Sequence, residues 1–143
     1  MAEMETFDTT IQKTNIWLKD LMEEEGWEDK HKSYLAMRAA LHALRDRLTP
    51  QEASQLASEL PMLVRGFFYE GWSPANKPKK IHSKKEFLDY VSEELPPDPD
   101  LDPERVARGV FSMLARHVSK GEIKDIKSTL PPEIRELWPS TIQ

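Results

Sequence analysis

Apolar side chains recur at steps of three and four along the chain, the spacing that gathers them on one face of a 3.6-residue helix. Phe7, Ile11, Thr14, Leu18 and Leu21 form a first stripe; Tyr34, Met37, Leu41, Leu44 and Leu48 form a second, with Arg38, Arg45, Asp46 and Arg47 set off it. Thr49-Pro50-Gln51-Glu52 is a helix start: threonine caps, proline pre-sets φ at the first helical position, and the glutamate reaches back to the cap. Ala53, Leu56, Ala57 and Leu60 supply an apolar side until Pro61, which lacks an amide donor and disfavours helical geometry in the residue before it. Met62 to Tyr69 reads as a short helix stopped by Gly71. Further on, Ser83-Lys-Lys-Glu86, Asp102-Pro103 and Ser119-Lys-Gly-Glu122 are polar caps ahead of new apolar runs. The predicted helices cover 7–24, 31–48, 50–60, 62–69, 84–94, 103–118, 121–130 and 132–137. No alternating β-branched run and no Asn-Gly or Asp-Gly turn marks a strand.

The same grammar is written twice. Shifting the chain by 70 residues, without a gap, places Ile11 on Ile81, Leu18 on Leu88, Arg38 on Arg108, Leu44 on Leu114, Glu52 on Glu122, Leu60-Pro61 on Leu130-Pro131 and Arg65 on Arg135. Apolar class follows, with Trp17 on Phe87, Leu41 on Phe111 and Val64 on Ile134. The expectation is an all-α fold of about eight helices, in which duplicated four-helix halves at 7–72 and 77–139 pack as one orthogonal bundle and one domain over 1–143. Residues 73–82, with Pro74, Pro78 and three lysines, and the Pro96-Pro97-Asp98-Pro99-Asp100 run are expected as exposed loops.

Composition narrows the chemistry. At 143 residues with 38% hydrophobic side chains the chain can close a core unaided. It has no cysteine, so disulfides, thiolate metal sites and cysteine nucleophiles are excluded. No stretch approaches the ~20 apolar residues of a membrane span, and Met1 to Asp8 has neither a basic nor an apolar leader region, so the expected address is the cytoplasm.

Two stretches carry a resemblance. Ala39-Ala-Leu-His-Ala-Leu-Arg-Asp-Arg-Leu-Thr-Pro-Gln-Glu-Ala and Leu60-Pro-Met-Leu-Val-Arg-Gly-Phe-Phe-Tyr-Glu-Gly-Trp72 resemble the bacterial family called domain of unknown function 2267. Val106-Ala-Arg-Gly-Val-Phe-Ser-Met-Leu-Ala-Arg-His-Val-Ser-Lys-Gly-Glu122 and Glu136-Leu-Trp-Pro139 are similar to its closing segment. The resemblance runs from about Phe7 to Pro139 and implies an all-α, bacterial, cytoplasmic protein. It brings no catalytic residue, cofactor or substrate.

The residues themselves point away from catalysis. Glu28-Asp-Lys-His31 has the Glu-x-x-His spacing of di-iron bundles, but stands as one copy where such a site needs two plus further carboxylates. No His-x-x-x-His pair, Gly-x-Ser-x-Gly elbow or glycine-rich phosphate loop is present, and the paired acids lie at helix ends and in loops. Neither metal nor cofactor is expected. The leading expectation is a non-enzymatic interaction or adaptor domain that binds another protein. Its nominated anchors are Phe68, Tyr69 and Trp72, since four aromatics between positions 67 and 72 exceed what one short helix buries on one face; their competing role is a clamp closing the seam between halves. The alternative is a small-anion or nucleic-acid module using Lys77, Lys79, Lys80, Lys84 and Lys85 with the repeat-equivalent Arg38 and Arg108. Against it stand the net charge of −5 and the acidic stretch that follows the lysines. The competing role of the arginines is to pair with acids of their own half and tie helices together.

Overall fold

A computed structural model describes residues 4–140. Among them are eight helices and no strand: α1 (Glu5–Glu25), α2 (Lys30–Arg47), α3 (Pro50–Ala57), α4 (Met62–Tyr69), α5 (Lys84–Ser92), α6 (Pro103–His117), α7 (Lys120–Thr129) and α8 (Pro132–Arg135). None is long and apolar enough to cross a membrane.

The caps act as the sequence predicts. Glu52 N–H donates to Thr49 Oγ1 and Thr49 N–H to Glu52 Oε1, at 3.1 and 2.9 Å; Ser83 and Glu86 close a second reciprocal pair. Asp102 accepts the Arg105 amide at the start of α6. Pro61 ends the preceding helix earlier than the apolar pattern implies: α3 stops at Ala57, and Glu59 and Leu60 turn back by bonds to Leu56 and Ala57 carbonyls. The link between α1 and α2 is tight. Gly26 adopts φ 73°, its amide and that of Trp27 return to the Met22 carbonyl, and Asp29 caps α2 through the His31 amide.

α2 is the centre. α1, α4, α5 and α6 all pack on it, α1 and α5 each reach α6 as well, and α3 meets α7. Buried Leu21, Met37, Leu41, Leu44, Phe68, Phe87, Phe111 and Leu114 form the middle of the core. The central position overturns one expectation: Arg45 and Asp46, set off the apolar stripe in sequence, are each only 4% exposed, because α2 is covered on several sides and has no fully wet face. The first stripe departs in the opposite sense. Trp17, Leu18 and Leu21 are buried, whereas Phe7 and Ile11, on the same face two turns earlier, are 53% and 49% exposed; α1 runs past the elements that would cover them.

Candidate functional site

The nominated aromatics pack against one another. Phe68 is fully buried and cannot anchor a partner from that position. Tyr69 stands between Phe68 and Trp72 with ring centroids 5.2 Å from each, and the Trp72 indole N–H is buried without a hydrogen-bond partner.

Lys84, Lys85, Arg38 and Arg108 pair with acids. Lys84 Nζ lies 2.8 Å from Glu136 and Lys85 Nζ 2.8 Å from Asp89, and these carboxylates raise both ammonium groups above their ordinary range. Lys79 lies over the Tyr90 ring, and Lys77 Nζ sits 3.4 Å from the Ala75 carbonyl. Lys80 is exposed. Arg108 pairs with Glu104 and Glu136, both of its own half. Arg38 binds Glu70 of its own half at 2.7 Å and Glu94 of the other at 3.0 Å, so it ties the halves together as well as its own helices.

The buried polar side chains form a hub that sequence reading missed. Arg45 donates to both Asp46 carboxylate oxygens at 2.9 and 3.1 Å, and to the Phe68 and Glu70 carbonyls at 2.8 Å. Tyr90 donates its hydroxyl to Asp46, and the Asp46 carbonyl accepts the Lys79 amide. Burial pushes the Asp46 carboxyl up, but the Arg45 and Tyr90 bonds outweigh it and hold the group below its ordinary range. Tyr90 is pushed far up by burial and by the same carboxylate. Nearby, His42 contacts Glu94 through Nδ1 and the Phe67 carbonyl through Nε2. A second cross-half network joins Asp20 of α1 to Arg116 and His117 of α6, with the His117 ring stacked on Trp17. No group of three or more potential metal ligands occurs among the described residues; Glu28 and His31 are both exposed, and His31 stacks on Tyr34.

Where α3 meets α7, one half caps the other. Glu59 accepts both the amide and the hydroxyl of Ser119, each at 2.8 Å, and so occupies the place Glu122 would take in a reciprocal capping pair. Glu122 faces Glu59, Asp125 and Glu52, and burial together with these charges pushes its carboxyl up to about 7. A carboxyl raised in the folded state supports folding while protonated and opposes it once ionised, so this contribution is full below the ordinary value of 4.5 and is lost as pH rises through about 7. Glu122→Gln is therefore expected to stabilise the fold at pH 8.5 by about 1 kcal/mol, after solvent screening of a partly exposed group. It should change little at pH 5, as paired thermal melts would measure.

What remains unpartnered is apolar. Among the described residues the exposed large hydrophobics are Met4, Phe7, Ile11, Ile16, Met62 and Leu63. They come from two segments, the stretch from the α1 N-cap Met4 to Ile16 and the start of α4; α1 and α4 pack together, and the Leu63 amide donates to Thr10 Oγ1 at 2.9 Å. Beside this contact runs an open groove of about 830 Å³ between α1 and the α3–α4 turn, with Ile16, Trp17 and Met62 among its lining and Lys13 and Glu59 at its polar edge. The sequence signal for this surface was present in the first apolar stripe, whose covered and uncovered turns share one periodicity.

A family model described as an uncharacterized conserved protein, DUF2267, matches residues 14–137. No curated protein matches the chain.

Proposed function

We propose, from the premise that this chain belongs to the DUF2267 family, that it acts by binding another protein rather than by catalysis, through the apolar surface of the first turns of α1 and the start of α4. One observation carries this reading: all six exposed large hydrophobics of the described residues fall on two segments that touch. Single exposed hydrophobics need no explanation, but their concentration on two neighbouring segments marks an interaction surface. The anion or nucleic-acid alternative has less support, because at Lys84, Lys85, Arg38 and Arg108 a phosphate would compete with carboxylates already in place.

The two halves are read as duplicated copies of one unit. Arg65 donates to the Ala57 and Leu60 carbonyls at 2.8 and 3.1 Å, and Arg135 to the Lys127 and Leu130 carbonyls at 3.0 and 2.9 Å; both donor and acceptors move by the same 70 positions. Pro61 and Pro131 precede α4 and α8 with ψ of 149° and 151°. α1 packs on α6 as α5 packs on α2. The halves differ at α1, which has 21 residues against 9 in α5. Its turns before Thr14 correspond to the linker in the second half and precede the family match. Phe7 and Ile11 thus lie on an addition to the repeated unit, whereas Ile16, Met62 and Leu63 fall within the family match.

The test is a double variant, Phe7→Asp with Ile11→Asp. Both positions are half exposed, so stability should stay within about 0.5 kcal/mol of wild type. A protein that accompanies the wild type through native mass spectrometry from its host should be lost from the variant and kept by Lys79→Glu with Lys80→Glu. The reverse pattern, loss with the lysine variant alone, would overturn the proposal in favour of anion binding.

A further inference from the structure

The chain has no cysteine, so its six methionines are the only sulfur it offers to an oxidant. The fold sorts them. Met37 and Met113 are fully buried in the core, and Met22 is half-buried. Met4 and Met62 are 57% and 48% exposed. Both belong to the six exposed large hydrophobics of the described residues, and Met62 also lines the groove beside Ile16 and Trp17. Thioether oxidation follows exposure, so the reactive sulfur of the described residues is concentrated on the apolar surface.

We propose that Met62 and Met4 are oxidation sites through which a hydroperoxide turns the apolar surface off while leaving the fold in place. This rests on the reading of that surface as a protein-binding site. The thioether sulfur attacks the hydroxyl oxygen of the peroxide; an S–O bond forms and the O–O bond breaks. The proton of the attacked hydroxyl passes to the departing oxygen, which leaves as water or an alcohol. Sulfur loses two electrons and the peroxide gains them. A dithiol reductant reverses the step, removing the oxygen as water and becoming a disulfide. The product is a polar sulfoxide in place of a flexible apolar side chain. An apolar partner that covers it strands an oxygen acceptor without a donor. The scaffold tolerates the change. Met62 is the first residue of α4 and Met4 the N-cap of α1, so each stands at a helix start, where free amide donors and the positive end of the dipole suit an added acceptor. α4 keeps its own fastenings, from the Leu63 amide to Thr10 and from the Arg65 amide to the Pro61 carbonyl.

Peptide mass mapping of the full chain after graded hydrogen peroxide treatment is the test. Met62 and Met4 should gain one oxygen at least about tenfold faster than Met37 and Met113. The apolar dye anilinonaphthalene sulfonate reads the surface without any partner. Its fluorescence should fall in step with Met62 conversion, while the melting temperature moves by less than about 2 °C. The double variant Met4→Leu with Met62→Leu keeps the apolar volume without the sulfur, and should hold its dye signal through the same treatment. Affinity for an accompanying protein should drop at least about tenfold on oxidation of the wild type but not of the variant. Equal oxidation of buried and exposed methionines, or a dye signal unchanged at full Met62 conversion, would overturn the proposal. Absence of any accompanying protein from the untreated wild type would overturn the interaction reading alone, since mapping and dye judge the oxidation sites without it.

Discussion

Asp46→Ala is expected to lower folding stability by about 3 to 5 kcal/mol, because it leaves the buried Arg45 guanidinium without its counter-charge. The other Arg45 bonds, to the Phe68 and Glu70 carbonyls, cannot neutralise it, and Tyr90 loses its acceptor at the same stroke. Domains of this size have roughly 5 to 15 kcal/mol in hand, so urea unfolding at pH 7 should show a midpoint much reduced at unchanged slope. The penalty depends on pH in a defined direction. The wild-type carboxyl is held below 3.8 in the folded state, so its contribution is complete above that value and disappears as pH falls through the folded titration. Below it the wild type has lost the carboxylate as well, and the two proteins should converge. A penalty that stays constant down to pH 2 would mean that shape, not charge, is what Asp46 supplies.

Phe111→Ala is the second large effect, again about 3 to 5 kcal/mol, from lost transfer energy and the cavity left in a packed interior. Phe111 is fully buried, stacked on Trp138 at 4.2 Å with a 12° interplanar angle, and 5.9 Å from Phe87. It therefore joins α6 to α5 and to the segment after α8. Phe111→Leu, which keeps most of the volume, should recover much of the loss. The chemical-unfolding midpoint measures both, and equal midpoints for alanine and leucine would argue against a packing origin.

Sequence period made the elements legible because helix starts are local events. Thr49 with Glu52, Ser83 with Glu86 and Asp102 with Pro103 each write a helix start into two to four adjacent residues, and each lies where its helix begins. Period alone says which side chains share a face, not whether anything lies against it. Phe7, Ile11, Leu18 and Leu21 stand on one stripe, yet the first pair is open and the second closed. The polar hub was hidden for a related reason. Arg45 and Asp46 look like wet-side residues on α2, and their partners Phe68, Glu70 and Tyr90 are supplied 23 to 44 positions away, a distance over which spacing carries no signal. Similarly, the capping pattern at Ser119 was correct, but the identity of the acid that fills it, Glu59 rather than Glu122, depends on how the halves meet.

That meeting has a consequence for how the chain is born. α2 is complete at Arg47, whereas α6, which covers it, ends at His117. At roughly 5 to 20 residues per second, a ribosome needs about 4 to 14 seconds to make the intervening 70 residues. Through that interval the nascent chain holds an apolar helix with part of its final cover still unmade, and an Arg45–Asp46 pair whose Tyr90 partner follows 44 positions behind Asp46. Native burial of α2 is completed only once α6 has been made, so the first half leaves the exit tunnel with its central helix still partly uncovered.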